Sequence, residues 1–240
     1  MLSENKLSKY LMYAFGEIVL VVIGILIALS INSWDSNRKT QNDILNYRVK
    51  IIKELEENAK IVDYYINNND TLIQQSERTQ RILNFRNIDS LKYLPEVLGA
   101  TATAWKTELT FPIIDQFMEI NLLKHIDNDT TQLYFKYLKT LREGILDNNT
   151  YVNNQYANSI EPIIIKHVNY SRTALPQYRA NFVVGGPNVD YESLFDNLEL
   201  WNVVILKHET LVLTNFVLKR LKEFLEKMAI YLKRTDKEIF

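Results

Sequence analysis

Apolar residues fill the stretch "YLMYAFGEIVLVVIGILIALSI", Tyr10 to Ile31, interrupted only by small residues and one acid, Glu17. A bilayer core of about 30 Å needs roughly 20 such residues at about 1.5 Å rise each, and no proline interrupts the run. The pattern therefore predicts a single membrane-spanning helix from Tyr10 to Ile31. Tyr10 and Tyr13 at one end and Trp34 beyond the other suit the headgroup zones. A secretory signal peptide is the rival reading, because Lys6 and Lys9 form a short basic region and Ala28-Leu29-Ser30 resembles a cleavage site. The length of the run and the acid within it favour an uncleaved anchor.

Within the span, Tyr10, Tyr13, Glu17, Val21, Gly24, Ala28 and Ile31 follow three- and four-residue steps and so share one helical face. Gly24-x-x-x-Ala28 is a small-x-x-x-small spacing that lets two helix backbones approach. Glu17 lies about 7.5 Å inside the edge of the span, and two readings of it stay open. It snorkels to the headgroups as a tolerated acid, or it finds a partner across a helix–helix interface made by Tyr13, Glu17, Gly24 and Ala28.

After the polar step "NSWDSNRKTQND", neither proline nor glycine occurs until Pro95, so helix is permitted from the bilayer outward. Leu45, Val49, Ile52, Leu55, Ala59, Val62 and Ile66 recur at helical spacing opposite Lys50, Lys53, Glu57 and Lys60. The run Asn67 to Asp70 predicts a turn, with Asp70 capping a second helix through Leu72, Ile73, Ile82 and Leu83. Residues 87–112 loosen into a connection around Pro95 and Gly99. Ile113 to Leu122 predicts a short apolar helix, and Asp127 or Asn128 caps a longer one through Leu133, Phe135, Leu138 and Leu141, reaching toward Tyr156. Pro162, Pro176 and Gly185-Gly186-Pro187 break the following region. Helix resumes from Leu198 to Lys233, with Trp201, Ile205, Leu211, Leu218, Leu221, Leu225, Met228 and Leu232 on its apolar side. The expected architecture is all-α: a tail over residues 1–9, the span over 10–31, and a mainly antiparallel helical bundle over 32–240.

Composition narrows the function classes. The 240 residues are 47% hydrophobic and 24% charged, enough for one anchor and one ordinary globular domain. A net charge of −1, without a basic run, disfavours nucleic acid as a partner. Cysteine is absent, which excludes disulfides and thiolate chemistry. His125, His167 and His208 fall in different elements without a metal-ligand spacing, and read as solvated surface side chains. "DNDTTQ" at 127–132 lacks the glycine and glutamate of a calcium loop. Gly185-Gly186-Pro187 lacks a phosphate-loop context and reads as a turn, and no nucleophile elbow occurs. The expectation is no cofactor, no metal site and no enzymatic activity.

Two function classes remain. The first is a membrane-anchored helical module for assembly, scaffolding or sensing, whose partners are the lipid bilayer and either a second copy or another membrane protein. The alternative is a subunit of a transport or proton-coupled membrane complex that uses Glu17. Charges flank the span on both sides: Lys6 and Lys9 before it, Arg38 and Lys39 after it. A short basic tail normally stays inside, so the domain is expected to face the periplasm.

The run Leu2 to Lys39, with "GEIVLVVIGILIAL" at Gly16 to Leu29 and Asn32-Ser33-Trp34 after it, resembles the opening of a large family of uncharacterised single-pass membrane proteins from Bacteroidota. The resemblance implies a location in the cell envelope and no particular reaction. Beyond that opening it is loose, limited to the helical style and the apolar helix near Ile113 to Leu123.

Overall fold

A computed structural model describes residues 4–234, with side chains from residue 10 onward; the predicted tail with Lys6 and Lys9 lies outside the described side chains. The fold is all-α. One helix, α1 (Glu4–Phe85), runs 82 residues from the apolar span into the bundle, a length of roughly 120 Å at 1.5 Å per residue. Every residue from Tyr10 to Trp34 is exposed, and Ile44 is the first buried one. Between them stands a bare polar stalk. Its local support is Asp35, paired with Arg38 at 3.2 Å and Lys39 at 2.8 Å, and the Arg38 guanidinium over the Trp34 ring.

The predicted turn at Asn67 to Asp70 is not one: α1 passes straight through it. The final long helix explains why. Asn69 is buried and donates to the Leu211 carbonyl, and Asp70 accepts from Asn215. These partners absorb the side-chain groups that would otherwise compete for the local backbone. The apolar stripe of α1 is also rotated from the expected one. Ile44, Ile51, Leu55, Val62 and Ile66 are buried, Leu45 and Ile52 are half-buried, and Val49 is exposed.

Beyond α1 the chain caps the far end of the bundle with α2 (Leu94–Val97) between two 3-10 turns, Ile88–Tyr93 and Leu98–Ala100. It then descends beside α1 as an extended segment over 103–111, followed by α3 (Pro112–Glu119). The descent is antiparallel to α1, since Glu54 reaches Ile113 while Tyr47 packs on Phe117. Asn128 caps α4 (Asp129–Gln155) by accepting the Thr131 N–H at 2.9 Å, one of the two caps expected. The ascent continues through a π-helical turn, Tyr156–Ile160, into α5 (Glu161–His167). Pro162 therefore does not break this element. Proline lacks the N–H that would close the ordinary ladder, and the wider turn just before it takes up the mismatch.

Two short helices, α6 (Tyr170–Thr173) and α7 (Pro176–Arg179), and a mostly irregular stretch lead to α8 (Leu198–Arg234). This last helix runs back along α1, with Arg86 paired to Asp196 at one end and Arg48 donating to the Leu232 carbonyl at the other. The result is an up-down-up-down bundle whose second leg is half extended chain.

Apolar layers fill it. Near the end that joins the apolar span, Leu55, Phe117, Phe135, Leu138, Leu225 and Met228 pack together, with Tyr134 stacked on Tyr231 at 4.5 Å. Leu72, Ala100, Leu175 and Leu211 form a middle layer, and Ile82, Leu98, Ile160, Ile164, Leu200 and Val204 a far one. Gly99 sits where chains touch: an added Cβ would lie 2.7 Å from the Thr173 carbonyl oxygen. Gly99→Ala is expected to destabilise the bundle by about 1–3 kcal/mol, which thermal denaturation of the full chain in detergent would measure.

Candidate functional site: the apolar span and the polar interior

α1 is the one helix among the described residues long and apolar enough to cross a membrane. Tyr13, Glu17, Gly24 and Ala28 are all exposed on it, and nothing lies within 4 Å of where a Gly24 Cβ would stand. The fold brings none of these four against another element of the same chain. A surface that is apolar on every side but for Glu17 and packed on nothing matches a lipid environment or a second helix.

The interior carries polar chemistry that periodicity did not reveal. The extended leg has no helical hydrogen bonds of its own, and side chains from all three long helices hold its backbone. From α8, Lys207 Nζ donates to the Thr103 carbonyl at 2.7 Å. From α4, Asn149 accepts the Thr107 N–H at 2.9 Å and donates to the Thr107 carbonyl at 2.8 Å, as a neighbouring strand would. From α1, the Tyr65 hydroxyl accepts the Glu108 N–H, and Asn58 donates to the Thr110 carbonyl at 3.0 Å. Where the leg turns helical, Glu54 accepts the N–H groups of Ile113 at 2.8 Å and Ile114 at 2.9 Å. Pro112 in the first turn of α3 has no N–H to satisfy, so Glu54 completes the cap from across the bundle. Burial raises the Glu54 carboxyl above its usual range, against the pull of these two amides.

Lys207 is 2% exposed, and burial pushes its ammonium down to about 8. The spacing that sets Trp201 and Ile205 on the apolar side of α8 does not point to it. In the fold Leu200, Val204, Lys207, Leu211, Thr214 and Leu218 line the core, while Ile205 is partly exposed. A lysine on that three- and four-step row was the available signal. Lys207 lies one turn beyond Leu211, and Ser76 one turn beyond Leu72. Since Leu72 and Leu211 share a layer, Ser76 and Lys207 define a polar layer next to it.

The histidines correct another expectation, since only His125 is fully exposed. His167 is partly buried between Glu199, at 3.0 Å from Nε2, and Asn197, at 3.1 Å from Nδ1. His208 is partly buried with its Nδ1 enclosed. Gly185 to Pro187 is a strapped turn: Asn169 donates to the carbonyls of Gly185 and Pro187, and Gly186 has φ of 88°. Among the described residues, no three His, Asp or Glu side chains group as metal ligands.

No family model, curated protein or solved structure matches this chain.

Proposed function

We propose that this protein is a single-pass, membrane-anchored helical module of the cell envelope that assembles, scaffolds or senses and carries no enzymatic activity. The observation behind the reading is the continuity of α1. One uninterrupted helix supplies both the exposed apolar span and the largest element of the bundle, so a tilt or rotation at one end is transmitted to the other. The resemblance of the opening residues to envelope proteins supports the same location. The domain faces the periplasm, and the Tyr13, Glu17, Gly24 and Ala28 face is the contact between spans.

The test is fractionation. The full chain is expected to stay with membranes through alkaline carbonate, and its bundle to be digested by protease added to spheroplasts; release by carbonate would refute the anchor, and protection the orientation. Replacing Gly24 and Ala28 together by Leu keeps the span apolar while blocking close approach. Chemical crosslinking in membranes is expected to lose most of the dimer in that variant, and an unchanged distribution would remove this face as the contact.

A further inference from the structure

We infer that the outer face of α1 is a pairing surface for a second copy of this chain, with the two α1 helices running parallel and the two bundles turned outward. The inference rests on the anchored reading above and adds what happens outside the bilayer.

Helical phase carries it. At about 3.6 residues per turn, positions 36 apart on an unbroken helix complete about ten turns and point the same way. Tyr13 then shares its direction with Val49, Glu17 with Lys53, Gly24 with Lys60 and Ala28 with Tyr64. Positions nine apart differ by about two and a half turns and point oppositely. The residues opposite Val49, Lys53, Lys60 and Tyr64 are Asn58, Ile44, Ile51 and Leu55, all buried in the bundle. The span face thus points away from the bundle, and its continuation is the solvent side of α1.

That continuation is not uniformly polar. Val49 is 69% exposed and Tyr64 64% exposed, two large apolar side chains on an otherwise charged surface. Two copies anchored in one membrane enter it in the same direction, so a two-fold axis relating them lies along the membrane normal and their α1 helices are parallel. In that arrangement the bundles lie on opposite sides of the axis and the exposed face of α1 is turned toward it. Lys53 and Lys60 lie along the ridge with Glu57 on one flank, 3.6 Å from Lys53 within one chain, and Glu56 on the other, where it pairs with Lys233 of its own α8. In a parallel pair the same lysines meet the partner's Glu57 across the seam, as flanking charges do in paired helices.

The chain has no cysteine, so single-cysteine variants of the full protein in membranes report the geometry directly. A disulfide forms only where the two Cα atoms come within about 7 Å. Val49→Cys and Tyr64→Cys are each expected to convert most of the chain to a species of twice its mass on mild oxidation. Val212→Cys, on the exposed side of α8, is expected to stay at background. Crosslinking at 212 in place of 49 and 64 overturns the inference, as does a 49 or 64 adduct whose mass identifies a different protein. If Gly24→Cys crosslinks and neither 49 nor 64 does, the spans pair but the outer faces do not, and the inference fails alone. If carbonate extracts the protein, the anchored reading itself has failed.

Discussion

Replacing Lys207 by Met should make the protein more stable at neutral pH, by about 1–2 kcal/mol. Lys207 is buried on α8 against the extended leg, and its ammonium donates to the Thr103 carbonyl. Burial moves it from 10.5 to about 8, and at about 1.4 kcal/mol per pH unit the charged form costs on the order of 3 kcal/mol relative to the unfolded chain. Methionine keeps the stem and its packing while removing that cost. It also leaves the Thr103 carbonyl without its donor, a loss of about 1–2 kcal/mol, which sets the smaller net gain.

The pH dependence has a definite sign. Between about 8 and 10.5 the unfolded chain holds this proton and the folded chain does not, so stability rises with pH across that window and is lost as pH falls through about 8. Urea unfolding of the full chain in detergent at pH 7 and pH 10 should show the wild type gaining on the Met variant. A constant difference between the two proteins would show that the charge of Lys207 is not what burial penalises.

Much of this architecture is legible in the sequence because periodicity reports it directly. The apolar N-terminal helix, the long last helix, the short helix at Pro112 and the Asn128 cap each follow from spacing or from a turn residue. What spacing misreads are positions where a partner distant in sequence overrides local preference. Asn69 and Asp70 look like a turn until Leu211 and Asn215 are beside them. Pro162 looks like a break until the π-helical turn absorbs it. Lys207 is absent from the expected apolar side of α8 because its acceptor, the Thr103 carbonyl, lies 104 residues away. The extended leg is hidden for the same reason, since Asn149, Tyr65 and Asn58 supply the pairing that a neighbouring strand would give. The face of Tyr13, Glu17, Gly24 and Ala28 is visible in sequence as a pattern. Its direction relative to the bundle required knowing that α1 never breaks.

Glu54→Ala should be the most destabilising single change in the bundle outside its apolar core, at about 3 kcal/mol. The carboxylate closes the N-terminus of α3 from a different helix, and without it the amides of Ile113 and Ile114 lose their acceptors together. A buried donor left unpaired costs about 1–3 kcal/mol, and the methylenes of Glu54 leave a further void. Glu54→Gln retains one acceptor oxygen and should cost about half as much. Hydrogen exchange localises the effect: the Ile113 and Ile114 amides should lose protection in the Ala variant, while those of the middle of α8 should change only as far as global stability does. The pH profile adds a second check. Burial holds the Glu54 carboxyl above 4.5 in the folded chain, so its contribution is fully present below that value and declines as pH rises through the folded one. The Gln variant has no such titration, so its deficit relative to wild type should be larger at pH 4 than at pH 7. A deficit that instead grows toward neutral pH would mean that the two amides outweigh burial and that Glu54 is held in its charged form.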